Sequence, residues 1–283
     1  MNKIKIITDS TSDLTDEIYK KHDIDVMSLY VTIGGKTYAD KTEISSKELF
    51  EQVKIHDELP KSSTIAVTTF HETFKKYIDM GYDIIYIGIG TGFSASTQNA
   101  ILASQEFPKD RIRVIDSANL SSGIGLLVLK AVKFRDAGDN VAEIAQKIEE
   151  LVPRVRTMFS INTLEYLHKG GRCSGTARIF GTLLKLKPII RVVDGAMHVA
   201  KKPRGKYKVA IEAQFEYVEH DINNIDPDNI MITHCLAAED AVYIRSRLQE
   251  MVKVDNIIES YASSVISTHC GPRTIGILYI TKE

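Results

Sequence analysis

The sequence predicts an α/β protein of two domains, each with a β-sheet and flanking helices. Short β-branched stretches alternate with helical patterns up to Pro153, which is typical of a mostly parallel sheet with helices on its faces. Beyond Pro153 the pattern changes and includes a two-residue hairpin signal, which indicates a mixed sheet with helices. The length of 283 residues also exceeds the usual size of one domain. We therefore expect one α/β domain over residues 1–153 and a second over residues 154–283.

The N-terminal domain begins with a predicted strand at Lys3 to Ile7, which a polar turn follows. Ser12 or Asp13 then caps a helix over about Leu14 to Lys21, because such side chains accept hydrogen bonds from the free N–H groups of a helix start. The later elements of this domain again alternate. They are a strand at Val26 to Ile33, a turn at 34–36, a helix opened by a capping box at Ser45 and Glu48, a helix at Phe70 to Met80, a strand at Asp83 to Ile89, a helix ending near Glu106, a strand at Arg111 to Ile115, and helices at Gly123 to Arg135 and Val141 to Val152.

The C-terminal domain begins with a predicted strand at Val155 to Ile161 and a helix at Thr176 to Lys185. Pro188 to Val193 and Ala196 to Ala200 flank Asp194-Gly195, a dipeptide typical of a tight turn between antiparallel strands. The remaining predicted elements are helices at Tyr207 to His220 and Ala238 to Met251, and strands at Ile230 to Thr233, Asn256 to Tyr261 and Thr274 to Ile280.

Composition excludes several functional classes. With 36 basic and 37 acidic residues the net charge is -1, and no basic stripe is interleaved with aromatic residues, so nucleic acid is not expected as a partner. No apolar run approaches the roughly twenty residues of a membrane helix, which leaves only transient membrane contact open. The start of the chain breaks too soon for a secretory signal, so we expect a cytoplasmic protein.

The three cysteines, Cys173, Cys235 and Cys270, are few, odd in number and widely spaced. They indicate neither a disulfide framework nor a paired zinc site, so we expect reduced thiols. No metal site and no cofactor site is predicted.

A glycine-containing loop follows the strand predicted at Asp83 to Ile89. Its glycines at 88, 90 and 92 would let the backbone approach a ligand closely, and the N–H groups of the next helix would attract an anion. Hydroxyl donors follow at Ser94, Ser96 and Thr97. The spacing is not the dinucleotide fingerprint. A tight strand-to-helix turn and an anion-binding loop are equally good interpretations.

Three further polar segments are ambiguous. Lys61 to Thr64 forms either a solvated turn with a helix cap or a second set of hydroxyl donors. His269 lies in a predicted small-residue loop over 265–272, where an imidazole can act as acid, base, ligand or hydrogen-bond donor. A lone histidine is more often structural, unless the other two loops converge on it. The basic loops over 167–174 and 201–206 are either solvated or a docking surface for an anionic group or an acidic partner.

Short motifs along nearly the whole chain, taken in order, resemble those of the DegV family. They are Lys5 to Leu14, Val114 to Ser117, Gly123 to Val128, Leu164 to Leu167 with Lys169 to Arg172, Lys187 to Ile190 with Asp194-Gly195, His269 to Pro272, and Ile275-Gly276. The resemblance implies two α/β domains that enclose one long-chain fatty acid such as palmitate. It also implies a likeness to the binding subunits of bacterial fatty-acid kinase, which hold the acyl chain while a separate kinase subunit phosphorylates its carboxylate for lipid synthesis.

The resemblance assigns roles to five residues. The family's carboxylate-binding hydroxyls fall on Ser62 and Ser94, and its histidine falls on His269. The arginines of its two basic loops, expected to dock the kinase or contact the phosphoryl group, fall on Arg172 and Arg204. No catalytic residue and no cofactor is implied.

Two departures from the family pattern concern the loops that would hold the carboxylate. The family's Thr-Ser-Gln-Pro is Ser-Ser-Thr-Ile at residues 62–65 of this chain. Its Ser-Ser-Gly-Leu-Ser-Gly-Thr is Gly-Thr-Gly-Phe-Ser-Ala-Ser at residues 90–96. Both binding hydroxyls are kept, but the shapes of the loops around them are expected to differ.

An acyl ligand of this kind is bound mainly through its tail. About fourteen methylenes at roughly 0.8 kcal/mol each contribute about 11 kcal/mol before ordering costs are subtracted. A carboxylate buried without partners costs several kcal/mol, so the hydroxyls and the imidazole must donate hydrogen bonds to it.

Two other functions fit parts of the sequence. Ser94 as nucleophile and His269 as base would make an acyl hydrolase, but Ser94 lies in Gly-Phe-Ser-Ala-Ser rather than in a Gly-x-Ser-x-Gly elbow. The loop at Gly90 would also suit a phosphate-bearing ligand, although it lacks the Gly-Lys-Ser/Thr ending of a P-loop. We expect the chain to bind the fatty acid and not to be an enzyme itself.

Overall fold

A parallel sheet forms the centre of the N-terminal half in this computed structural model, which describes residues 3–174 and 186–283. Its strands are β1 (Lys3–Asp9), β2 (Ile24–Met27), β6 (Tyr82–Gly88) and β7 (Ile112–Asp116). All hydrogen-bonded pairs run parallel, in the order β2-β1-β6-β7. The later residues of β1 and β6 are buried on both faces, which is typical of parallel sheets covered by helices. The predicted α/β class with a mostly parallel N-terminal sheet is confirmed.

A small antiparallel sheet in the same half departs from two predictions. Its strands are β3 (Tyr30–Ile33), β4 (Lys36–Ala39) and β5 (Lys61–Ser63), in the order β4-β3-β5. The single strand predicted over Val26 to Ile33 is wrong, because the chain leaves the parallel sheet and the Leu29 N–H donates to Ser10 Oγ at 3.1 Å. The solvated-turn interpretation of Lys61 to Thr64 is also wrong, since residues 61–63 pair with β3.

The helices of the N-terminal half occupy the predicted regions. They are α1 (Asp16–Lys21), α2 (Ser46–His56), α3 (Val67–Asp79), α4 (Ser96–Ser104), α5 (Ser122–Asp136) and α6 (Val141–Leu151). The predicted cap of α1 is wrong: Thr15 caps it, because residues 10–12 form a short 3-10 helix and Asp13 has a left-handed φ of 52°. The capping box between Ser45 and Glu48 is confirmed.

The C-terminal half contains a mixed sheet, as predicted. Within the described residues its strands are β8 (Val155–Ser160), β9 (Cys173–Ser174), β10 (Ile189–Val193), β11 (Ala196–Lys201), β12 (Ile225–Cys235), β13 (Asn256–Tyr261) and β14 (Thr274–Thr281), in the order β13-β12-β14-β8-β10-β11-β9. The predicted hairpin of β10 and β11 is confirmed, and its turn residues Asp194 and Gly195 have φ values of 49° and 70°. The helix predicted at Thr176 to Lys185 lies outside the described residues.

Two short helices of this half, α7 (Glu165–Gly170) and α10 (Ser264–Cys270), replace predicted loops. The part of this half that the structure describes also contains the longer helices α8 (Tyr207–Asp221) and α9 (Ala238–Met251). The loop predicted over 265–272 is wrong, since Ser263 caps α10 by accepting a hydrogen bond from the Ile266 N–H at 3.3 Å. The basic loop predicted over 167–174 begins inside α7, so only its second part is a loop.

One apolar core joins the two halves. Helix α5 packs against β1 and β6 and also against β8, β12 and β14. Ile6 and Ile85 therefore share a buried cluster with Phe159 and Leu278. We propose that the two domains divide after residue 153, because Pro153 lies in a short 3-10 helix between α6 and β8. Within the described residues, no helix is both long and apolar enough to span a membrane.

Candidate functional site

A cavity of 330 Å³ lies where the loops after β5 and β6 face helix α10. This volume is at the small end of the range for ligand pockets. Ser62, Ser94, His269 and Arg172 all line the cavity, whereas Arg204 is not among the described residues that line it. The rest of the lining is largely apolar and includes Leu29, Ile89, Phe93, Leu120, Met197, Val265 and Ile266. Three segments that are distant in the sequence therefore converge on one cavity.

Ser62 and His269 form a hydrogen-bonded pair in this cavity. Ser62 Oγ lies 2.7 Å from His269 Nε2, although 207 positions separate the two residues in the chain. Ser62 is held by β5, where it pairs opposite Val31 of β3. His269 lies in the last turn of α10, which packs on β3 and β5. Each partner is therefore positioned by a regular element, which favours a fixed geometry.

Ser94 belongs to the loop that carries the chain from β6 into α4. Its Oγ donates to Ser96 Oγ at 3.2 Å and accepts from the Ser96 N–H at 3.2 Å. Ser96 Oγ in turn accepts from the Ile65 N–H at 3.3 Å, and the Asn99 amide donates to the Ile65 carbonyl at 2.8 Å. These bonds connect the loop that carries Ser94 to the segment that follows Ser62. They therefore fix the position of one hydroxyl relative to the other.

The glycines of this loop make room for the protein itself. A side chain at Gly88 would overlap the Tyr86 hydroxyl, and a Cβ at Gly90 would lie 2.9 Å from the Asn119 nitrogen. A Cβ at Gly92 would overlap the carbonyl oxygen of Gly195 in the β10–β11 turn. The expected close approach of a ligand to these glycines is therefore replaced by close approach of other groups of the protein, a side chain at Gly88 and backbone at Gly90 and Gly92.

Several N–H groups of the same loop are also used within the protein. The Thr91 N–H donates to the Asp116 carboxylate at 3.2 Å. The N–H groups of Phe93 and Ser94 donate to the Gly90 carbonyl at 2.8 Å and 3.2 Å. An anion would have to displace these bonds, so the geometry does not favour an anion-binding role for the loop amides. The hydroxyl of Ser94 remains the group through which this loop faces the cavity.

Two buried carboxylates support the helix that carries His269, and the sequence interpretation missed them. Asp13 accepts from the Ser263 N–H at 2.9 Å, and Asp40 accepts from the Ser264 N–H at 2.8 Å. Burial raises the pKa of Asp40, and it raises the pKa of Asp13 to about 7. For Asp13 the signal was present as a polar run directly after a buried strand, but it resembled an ordinary helix cap.

The imidazole of His269 is neutral near pH 7. Burial and, to a smaller extent, the positive charge of Arg172 together lower the pKa of His269 to about 4. A neutral ring carries one N–H group and one lone pair. Nδ1 is buried, and no group in the described part of the chain forms a hydrogen bond with it. The ring can therefore take part in hydrogen bonding at Nε2 without placing a permanent charge beside a ligand.

The two arginines singled out by the sequence lie in different places. Arg172 is exposed, and its Nη1 donates to the Gly170 carbonyl at 2.6 Å next to the cavity. Arg204 is exposed beyond β11, where its backbone bridges to Leu186. Only Arg172 of these two is brought to the cavity lining.

A smaller chamber of 20 Å³ extends the apolar wall. It shares Leu120, Ile266 and Cys270 with the main cavity, and Phe159 and Leu278 also line it. The shared residues lead from the main cavity toward the core between the two larger sheets. Sequence periodicity could not identify this lining, because an apolar residue that faces a cavity has the same pattern as one in solid core.

The arrangement suits a ligand with one acidic group and one hydrocarbon body. Hydroxyls and a neutral imidazole can donate hydrogen bonds to an oxyanion, and the apolar wall can exclude water from a hydrocarbon chain. Among residues 3–174 and 186–283 no group of His, Cys, Asp and Glu side chains is arranged to hold a metal ion.

Known proteins are similar to this chain along nearly its whole length. The profile of DegV, an uncharacterised protein family, matches residues 3–282. A DegV domain-containing protein of Clostridium acetobutylicum is 34% identical over 283 residues, covering 100% of both chains. A solved structure of a DegV family protein from Thermus thermophilus, described by its fatty acid binding, has a TM-score of 0.90 at 30% identity and covers 99% of this chain and 100% of its own. A stearic acid-binding protein of Eubacterium ventriosum has a TM-score of 0.87 at 25% identity and covers 100% of this chain and 99% of its own.

Proposed function

The chain belongs to the DegV family, and from this premise we propose that it binds one long-chain fatty acid, with the carboxylate at Ser62, Ser94 and His269. The observation that carries the proposal is that these three side chains line one cavity whose other walls are largely apolar. The related proteins from Thermus thermophilus and Eubacterium ventriosum, described as binding fatty acid and stearic acid, support a ligand of this class.

The head of the ligand would be held by neutral donors. A hydrogen bond to a charged group contributes about 1.5–3 kcal/mol, and two hydroxyls can supply such bonds without a permanent salt bridge. For Ser94 this requires the hydroxyl hydrogen to turn from Ser96 Oγ to the carboxylate. Because the His269 ring is uncharged near pH 7, the carboxylate would keep its own negative charge as a nucleophile for phosphoryl transfer. The tail would lie along the apolar wall formed by Leu120 and Ile266 and would supply most of the affinity.

We further propose that a separate kinase subunit phosphorylates the bound acid. Arg172 and Arg204 would contact that subunit or the transferred phosphoryl group, since both are exposed and guanidinium groups suit phosphate recognition. The position of Arg172 on the cavity lining supports this role for the first arginine. Cytoplasmic lipid metabolism or lipid transport is the setting that fits such a pair of subunits.

The two rival functions find less support in the geometry. A serine hydrolase needs Ser94 bonded to the histidine, but it is Ser62 that pairs with His269, while Ser94 bonds to Ser96. A triad acid would bind His269 Nδ1, and within the described residues that atom has no hydrogen-bond partner. A phosphate ligand would need the loop amides, which already donate to Asp116 and to backbone carbonyls.

Mass spectrometry of the purified protein tests the proposal. We expect a co-purifying long-chain fatty acid in the natural protein and much less of it in Ser62→Ala and Ser94→Ala. A co-purifying nucleotide or sugar phosphate, or the same amount of lipid in both variants, would contradict it. Esterase activity that disappears in Ser94→Ala would instead establish the hydrolase.

A further inference from the structure

Gly170 lies beside Nδ1 of the His269 ring, whereas Ser62 lies at the other ring nitrogen, Nε2. A Cβ built on Gly170 would lie 2.5 Å from His269 Nδ1, closer than two such atoms can come. In glycine a hydrogen on Cα occupies that direction. The last residue of α7 therefore limits where the imidazole can sit, and a side chain at this position would push the ring out of place.

The contact also bears on which ring nitrogen carries the proton. A proton on Nδ1 would be a buried donor beside the Cα of Gly170, without a partner among the described residues. Buried N–H groups without a partner are rare in native proteins, and a buried lone pair is the less costly alternative. A proton on Nε2 instead points at Ser62 Oγ, which is 2.7 Å away. The packing at Gly170 therefore favours the tautomer with the proton on Nε2.

The direction of the Ser62–His269 hydrogen bond follows from this tautomer. If Nε2 donates, Ser62 Oγ accepts, and the hydroxyl hydrogen of Ser62 is left to donate into the cavity. If Nε2 accepted, Ser62 would spend its only hydrogen on the ring and would present only lone pairs to a ligand. A carboxylate needs donors, so only the first arrangement makes Ser62 useful for it.

We propose that Gly170 is a positioning residue for the proposed carboxylate site: its missing side chain seats His269 with the proton on Nε2, which donates to Ser62 and orients the Ser62 hydroxyl hydrogen toward the ligand. This inference rests on the proposed function only in naming the carboxylate, and in it His269 acts on the carboxylate through the Ser62 hydroxyl, because its one N–H group is bonded to Ser62. The low pKa of His269 agrees with it, because an uncharged ring carries its single proton on only one of the two nitrogens.

The tautomer can be measured without any ligand. In the lipid-stripped protein labelled with ¹⁵N-histidine, His269→Gln identifies the signals of His269, and long-range ¹H–¹⁵N spectra distinguish protonated from unprotonated ring nitrogens. We expect a pyrrole-type Nε2 and a pyridine-type Nδ1 near neutral pH. A pyrrole-type Nδ1, or a doubly protonated ring, would overturn the inference even if the protein binds fatty acid.

The role of Gly170 is tested by adding a methyl group there. Gly170→Ala suits a helix better than glycine does, yet it should shift the His269 ring signals and weaken palmitate binding roughly ten- to a hundredfold, the loss of one charge-assisted hydrogen bond. Gly171→Asn is the matched control, because its side chain enters open space and asparagine tolerates the left-handed φ of 67° found there. It should leave both readouts unchanged.

The outcomes separate this inference from the proposed function. Wild-type affinity and unchanged ring signals in Gly170→Ala would refute the positioning role while leaving fatty acid binding intact. The Nε2-protonated ring in a protein that retains no fatty acid would contradict the proposed function and not the tautomer. If Gly170→Ala does not fold, the wild-type spectrum still decides which nitrogen carries the proton.

Discussion

Replacing Ser62 with alanine removes one donor from the proposed carboxylate site and little else. Its Oγ contacts His269 Nε2 at 2.7 Å, and its backbone is paired with Val31. Loss of one hydrogen bond to a charged group costs about 1.5–3 kcal/mol, so Ser62→Ala should bind palmitate roughly ten- to a hundredfold more weakly. The free energy of unfolding should fall by only about 1 kcal/mol, the net value of the hydrogen bond to His269, because the backbone pairs of β5 with β3 remain.

Isothermal titration of lipid-stripped protein with palmitate measures the loss. Thr37→Val is the control, since it removes an exposed hydroxyl, bonded to Thr32, from the same small sheet. His269→Ala and the double variant complete a cycle, and the combined loss should be smaller than the sum because Ser62 and His269 are directly bonded. Unchanged affinity in Ser62→Ala, or strictly additive losses, would refute the reasoning.

Three further perturbations test other parts of the account. The pKa of Asp13 is raised from the usual 3.8 to about 7 in the folded protein, so the folded state holds an extra proton and the free energy of unfolding should fall as the pH rises between these values. Urea unfolding at a series of pH values measures this fall, and Asp13→Asn should reduce it by up to about 4 kcal/mol. The same dependence of the free energy of unfolding on pH in Asp13→Asn would contradict the prediction. Gly92→Ala should push the hairpin turn at Gly195 away from the cavity and speed release of a fluorescent fatty acid; equal release rates would show that the contact is unimportant. Arg172→Ala and Arg204→Ala should retain bound lipid but lower its phosphorylation by the partner kinase, and loss of lipid from either variant would contradict the docking role.

Much of the fold could be predicted because local patterns agree with the tertiary structure. The helix Ala238–Met251 and the strand Asn256–Tyr261 have the predicted bounds, and the hairpin at Asp194 and Gly195 follows from turn chemistry alone. The strand predicted over Val26 to Ile33 failed for a tertiary reason. Its break at Leu29 depends on a hydrogen bond to a side chain of the turn after β1, which no local pattern reveals.

The candidate site could be predicted only in part. The hydroxyl and imidazole positions followed from the motifs, but the pairing of His269 with Ser62 rather than Ser94 depends on how α10 packs on the small sheet. The helix itself was missed, because its small and β-branched residues show no helical periodicity. Its start is stabilised by Asp13 and Asp40, which lie more than two hundred positions away in the chain.

A crystal structure of the protein grown with palmitate tests the central claim most directly. We predict that the two carboxylate oxygens lie within about 3 Å of Ser62 Oγ and Ser94 Oγ, with the tail against Leu120 and Ile266. A carboxylate bound away from both hydroxyls, or a cavity that stays empty of lipid at saturating palmitate, would contradict it.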